Sequence, residues 1–346
     1  EIMSSDWSSD VCSSDLYKPL PPGISRAGPE RMTAAVSALD RTTSAVSAPQ
    51  RPAAASASHR TTSAVSAPQR PAAEIEFLYD LTFQRNEQAV VEQEIFDRVL
   101  SMIDEAREFV VVDMFLFNGE HGGERAYRPL AGELTHRLVR RKEAEPGFKA
   151  VLITDEINNF YGAYTSPEIH RLEEAGVDVI LTRLSRLRDS NPLYSAGWRL
   201  LMSWWGTGGP GWLPHPLSST GRKVTARAYM KVLNFKANHR KVLVTDQGCL
   251  LSSMNPHDAS SRHSNIGFAA RGPICRDILR AEKAVAEFSR GDTENWPAEP
   301  AAFEPPAAGP PRASVRLLTE GKIRRELLEA LDGAGPGHQV DLAMFY

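Results

Sequence analysis

The chain has 346 residues, 40 Lys and Arg against 43 Asp and Glu, a formal net charge of −3 and 42% hydrophobic residues. That length allows two domains, or one large domain with attachments, and the charge balance argues against a general nucleic-acid binder, which is basic as a rule. No apolar run approaches the roughly 20 residues of a membrane helix, and three cysteines, Cys12, Cys249 and Cys275, make no disulfide framework, so a reducing or redox-indifferent compartment is expected.

Residues 1–16 carry three Ser-Ser-Asp triplets. They read as translated assembly DNA rather than selected sequence and are set aside. They also lack the basic start and apolar stretch of a secretory signal, so the cytoplasm or the membrane periphery is the favoured location. Residues 17–73 are rich in Ala, Ser, Pro, Thr and Arg, with no aromatic residue between Tyr17 and Phe77, and a unit that starts at Arg41 recurs unchanged from Arg60. Too little apolar surface is available to offset the ordering entropy, which predicts a disordered, repetitive tail.

An α/β texture begins at Glu74 and marks a first domain over 74–290. Ile95, Val99, Met102, Ile103 and Ala106 fall at helical spacing within 92–106. Residues 109–117 form a nearly continuous apolar run interrupted by Asp113, the mark of a buried strand. A further strand is expected at 150–154, then a helix over 167–175 stopped by Gly176 and a strand at 177–181. Gly and Pro in 195–214 predict a loop. Short paired strands are expected at 242–245 and 250–252 and a closing helix at 277–289, giving a layered α/β sandwich. Residues 291–313, rich in Pro and Ala, read as a linker. Over 314–346 the early pattern returns: at an offset of 228 residues, Ile95, Leu100, Asp104, Ala106, Val112, Asp113 and Phe117 meet Ile323, Leu328, Asp332, Ala334, Val340, Asp341 and Phe345. The expectation is a duplication whose second copy begins near Ser314 and is cut off at Tyr346; two amphipathic helix–strand units that merely look alike are the alternative.

The chemistry concentrates in 234–255. His239, Lys241 and Asp246 fit the spacing H-x-K-x4-D, which arises by chance in roughly one chain in a hundred of this composition, and Ser252-Ser253-Met254-Asn255 follows. On an extended segment His239 and Lys241 share a face. An imidazole and an ammonium side by side, with the Asn255 amide on an adjacent loop, suit a phosphodiester. Lys241 and Asn255 would hold non-bridging oxygens and stabilise a pentacoordinate transition state, while His239 would attack phosphorus. Asp246 opens the turn Asp246-Gln247-Gly248 and suits either a cap of that turn or a part in the site. Structural roles for these side chains, or a zinc site from His239, His257 and His263, are the alternatives. The zinc spacing matches no standard ligand set.

At these residues the sequence resembles the phospholipase D superfamily, whose signature is H-x-K-x4-D followed by G-S-x-N. The block from Asn234 to Phe268, with Asn238-His239-Arg240-Lys241 and Asn255-Pro256-His257-Asp258, resembles its bacterial phospholipase D-like and cardiolipin-synthase-like branch. The resemblance implies a phospholipase D-like α/β sandwich, here one complete copy plus the start of a second, and phosphodiester chemistry through a phosphohistidine that needs neither metal nor cofactor. It implies one histidine from each of two copies, one the nucleophile and the other the acid. By match, His239, Lys241 and Asp246 take catalytic positions, and Lys241, Asn255 and Ser253 bind phosphate, with Ser252 standing where the family has Gly. The second motif would fall past Tyr346, so the expected active form is a homodimer or a longer chain.

Trp198, Trp204, Trp205 and Trp212 lie within a short stretch followed by Arg222, Lys223 and Lys231. Tryptophan favours the membrane interface and basic side chains meet anionic head groups. The stretch suits either a membrane contact or packing under the loops of the site, and on the first reading the expected substrate is phospholipid at a membrane surface. A nuclease of the same superfamily, which would call for a basic groove, and a catalytically silent module binding anionic lipid are the competing readings.

Overall fold

The computed structural model describes residues 70–341 except 73, 87, 122–125, 217, 219–221, 291–292 and 305–312. The expectations for 1–16, for most of 17–73 and for 342–346 lie outside these residues.

A mixed sheet of eight strands organises the domain: β2 (Glu74–Arg85), β3 (Gln88–Gln93), β4 (Phe109–Met114), β5 (Lys149–Thr154), β6 (Asp178–Leu181), β9 (Lys241–Thr245), β10 (Gly248–Ser252) and β11 (Asn265–Arg271). Their order is β3-β2-β11-β10-β9-β4-β5-β6. β4, β5 and β6 are parallel, and every other pairing is antiparallel. The C-terminal ends of β4, β5 and β6 therefore lie beside the start of β9, where Lys241 pairs with Met114.

Alternation along the central strands builds two cores. Val110, Val112, Met114 and Leu243 face α1 (Ile95–Glu105), α2 (Leu130–Ala144) and α3 (Pro167–Glu174), whereas Val111, Val242 and Val244 face α6 (Pro273–Ser289). The molecule is thus an α/β fold with helices on both faces of the sheet. α1 has no cap of its own; buried Asp80 of β2 accepts the Glu94 and Ile95 N–H groups at 3.0 and 3.1 Å. α2 was not anticipated, although Leu130, Leu134 and Leu138 line its buried face at helical spacing. The flanking Pro129 offers no cap, and Asp258 supplies one from outside by accepting the Ala131 N–H at 3.1 Å.

Four expectations are corrected. The strand predicted over 109–117 stops at Met114, because the next N–H groups turn to other partners: Phe115 to the Arg240 carbonyl, Leu116 to Asn255 and Phe117 to Asn158. The stretch 195–214 is not all loop: α4 (Pro192–Leu201) starts on an Asn191 cap with Pro at its first position. A short 3-10 turn and β7 (Leu213–Pro214) follow, β7 pairing with β8 (Lys223–Val224), and α5 (Ala226–Val232) then leads into the motif. The end of the predicted tail is structured, since β1 (Arg70–Ala72) pairs with β12 (Ala313–Val315) and Arg70 bonds Asp277 at 2.7 Å. Finally, two of the three cysteines are bridged: Cys249 of β10 and Cys275 of α6, both fully buried, form a disulfide with a Cα–Cα separation of 5.3 Å.

Part of the expected linker is packed: Phe303 is buried against α6, and Glu299 and Glu304 pair with Arg280 and Arg276. Beyond it α7 (Gly321–Asp332) presents its apolar residues to solvent.

Candidate active site

The centre is built where β9 begins. Asn238 and Arg240 turn to the α6 side of the sheet and fix the strand from behind. The Asn238 N–H donates to Asp155 at 2.7 Å, and its amide donates to Asp113 at 2.9 and 3.0 Å and to Thr182 at 3.0 Å. Arg240 pairs with Glu282 of α6 at 3.1 Å and with Glu320 at 3.3 Å. Alternation then carries His239 and Lys241 to the opposite face.

Phe115 ties the two together. Its ring centroid lies 4.7 Å from that of His239 and 5.1 Å from the Lys241 Nζ, and its N–H donates to the Arg240 carbonyl at 3.0 Å. The Lys241 ammonium also donates to the His239 carbonyl at 3.1 Å. One residue on, the Leu116 N–H donates to the Asn255 side-chain oxygen at 3.2 Å. The 115–116 segment thereby joins His239, Lys241 and Asn255, and with its oxygen engaged Asn255 offers the NH2 side as donor.

Burial sets the protonation states. His239 stays accessible on one side, but its crowded ring, with Lys241 beside it, has a pKa lowered to about 4. Its imidazole is neutral near pH 7, which leaves one ring nitrogen with a free lone pair. Burial lowers Lys241 to about 7 against the opposing pull of Asp113 and Asp155. Burial raises Asp155 to about 7, and burial with Glu282 alongside raises Asp113 well above the carboxylate range. A phosphodiester, itself an anion, would restore the proton on Lys241.

Asp246 is not in this centre. It sits past the far end of β9, where one carboxylate oxygen accepts the Arg107 and Glu108 N–H groups at 2.9 and 3.2 Å. It secures the α1–β4 junction and has no contact with His239 or Lys241 among the described interactions. A shallow cleft lined by Glu76, Arg98, Gln247 and Arg271 opens beside Gln247, away from the motif histidine. Ser253 is committed elsewhere too: its hydroxyl donates to Asn265 and accepts from the Ile266 N–H, both at 3.1 Å. The four tryptophans divide, with Trp204, Trp205 and Trp212 exposed and Trp198 half-buried. Among the described residues no group of three or more His, Cys, Asp or Glu is placed to hold a metal ion.

Sequence reasoning did not single out Phe115 or Glu282, and it gave Asn238 and Arg240 no role of their own. One signal was visible: a lone Asp113 in an apolar run is a buried carboxyl that needs a partner.

No family model matches the chain, and no curated protein matches it. Among solved structures it is similar to a phospholipase D family member, Nuc, from Salmonella typhimurium, with 15% identity and a TM-score of 0.33 over 63% of this chain and 96% of that one. It is similar to NucT from Helicobacter pylori at 13% identity and a TM-score of 0.28, over 62% of this chain and 96% of that one. Phosphatidylserine synthase from Haemophilus influenzae gives 13% identity and a TM-score of 0.30, over 60% of this chain and 37% of that one.

Proposed function

We propose that the protein is a phosphodiesterase or phosphatidyltransferase of the phospholipase D type that acts on phospholipid through a phosphohistidine at His239. The observation that carries this reading is the pairing of a neutral, accessible imidazole with a buried ammonium on one face of β9, joined to Asn255 through 115–116. Lys241 and Asn255 bind the non-bridging oxygens, where charge grows in the transition state. A ring nitrogen of His239 forms a bond to phosphorus as the bond to the leaving alcohol breaks, and a second imidazole gives that alcohol its proton. Water or an acceptor alcohol then loses its proton to the second imidazole, attacks phosphorus and frees His239.

The second imidazole comes from a second centre of the same kind. α7 supports this. In α1, Ile95, Val99, Leu100 and Ile103 are buried under the sheet, while Ile323, Leu327, Leu328 and Leu331, 228 residues later, repeat that face and remain 49, 47, 42 and 37% exposed. We read 314–346 as the start of a second copy, and the active form as a homodimer or a longer chain.

The test is head-group release from phospholipid by the protein in its assembled form. His239→Ala abolishes it, and Lys241→Ala lowers kcat by about 10²–10³-fold. Unimpaired release by His239→Ala refutes the mechanism, and cleavage of DNA without any of lipid moves the protein to the nucleases.

A further inference from the structure

Residues 181–236 differ in charge from the rest of the chain. They hold nine Lys and Arg and one acidic residue, Asp189, in a protein whose net charge is −3. Among the described residues they also hold the most exposed large apolar side chains: Leu193 is 89% accessible, Leu200 73%, Leu201 62%, Trp204 79%, Trp205 67% and Trp212 71%. Along α4 only Ser195 is fully buried. Exposed apolar surface of this kind marks an interaction site.

The segment is firmly held. Tyr194 donates to the Met230 carbonyl at 2.6 Å, and Asp189 receives Arg199 at 2.8 Å and Lys236 at 2.7 Å. The Trp204 indole N–H donates to the Leu200 carbonyl at 3.1 Å. Arg227 donates to the carbonyls of Gly206 and Gly208 at 2.8 and 2.9 Å, and Thr207 donates to that of Tyr161 at 2.6 Å. Gly211 lets the chain cross the backbone of Lys223 and Val224 at a distance that no Cβ could occupy, which places Trp212. Polar contacts thus fix the base while the indoles and leucines point outward.

We infer that this surface seats on an anionic phospholipid bilayer, with Trp204, Trp205 and Trp212 entering the interface and the surrounding Arg and Lys meeting the head groups. Indoles favour that depth, and basic side chains near an anionic surface add attraction. The exposed leucines favour a bilayer over a nucleic acid, since bases stack on aromatic rings and gain little from aliphatic side chains. The segment emerges at the end of the sheet where β4, β5 and β6 terminate, and α5 runs from it into His239. The inference deepens the phospholipid reading of the site and rests on it for orientation: docking here turns the His239 end of the sheet to the membrane.

The experiment is sedimentation with vesicles of phosphatidylcholine alone and of phosphatidylcholine with phosphatidylglycerol. It uses the protein and a W204S/W205S/W212S variant whose fold is checked by circular dichroism. The expected result is binding to the anionic vesicles, weakened by salt, with a blue shift of indole fluorescence, and at least about a tenfold loss in the variant. Unchanged binding by the variant overturns the inference. So does absence of vesicle binding, tryptophan-dependent binding to DNA instead, or tryptophan-dependent self-association without lipid. Turnover of a short-chain, monomeric phospholipid separates the two readings. If it persists without vesicle binding, only the anchor falls; if vesicle binding stands without turnover, only the catalytic reading falls.

Discussion

Arg240 reaches Glu282 at 3.1 Å on the opposite side of the sheet from the two motif residues that flank it, and Glu282 is only 2% exposed. The residue between His239 and Lys241 thus anchors the strand that presents them. Arg240→Ala leaves a buried carboxyl without its cation, at a cost of about 3–5 kcal/mol in urea unfolding. Without Arg240 the folded pKa of Glu282 rises further, so its extra stability is present at low pH and lost as pH rises. The defect is therefore larger at pH 8 than at pH 5. A pH-independent loss under about 1 kcal/mol would contradict the anchoring role.

Asp246 and Lys241 lie in one motif but separate in effect. Asp246→Ala strips two backbone N–H groups of their acceptor and costs about 1–2 kcal/mol of stability, while activity per folded molecule stays near wild type. A folded but inactive Asp246→Ala protein would return the residue to the catalytic centre.

Lys241 carries a pH signature. Its pKa falls from 10.5 in the unfolded chain to about 7 on burial. Below pH 7 both states hold the proton and the fold bears the cost of burying it. Between pH 7 and 10.5 the unfolded chain binds more protons, so stability rises with pH. Each tenfold difference in proton affinity between the folded and unfolded chain is worth about 1.4 kcal/mol. Lys241→Met is thus expected to stabilise the protein by a few kcal/mol at pH 6 and by almost nothing near pH 10. Chemical denaturation across that range checks it; a variant that is destabilised at pH 6 refutes it.

The Cys249–Cys275 bridge closes a separation of 26 residues between β10 and α6. Its reduction, or the double change to Ala, should lower stability by about 3 kcal/mol. Coincident unfolding curves with and without reductant would show that the bridge does not form in solution.

The sheet was legible where periodicity was strong. The apolar strands β4 and β5 and the α1 helix follow their patterns, because packing on two faces and local spacing agree. Long-range capping was not legible: Asp80 and Asp258 close helices about 15 and 130 residues from their own positions. The pairing of His239 with Lys241 on one face followed from alternation alone. Asp246 did not follow, because Lys241 opens a five-residue strand and Asp246 lies past its far end, and motif spacing carries no distance. The single Cys249–Cys275 bridge was not legible, because two cysteines separated by 26 residues in sequence carry no signal that their strand and helix meet.

The central claim is covalent catalysis at His239. The most direct measurement is rapid quenching of the assembled protein with a phospholipid labelled at phosphorus, followed by peptide mapping. The account predicts an acid-labile, alkali-stable label on the peptide bearing His239, absent from His239→Ala. Head-group release in which His239 carries no phosphorus would contradict it.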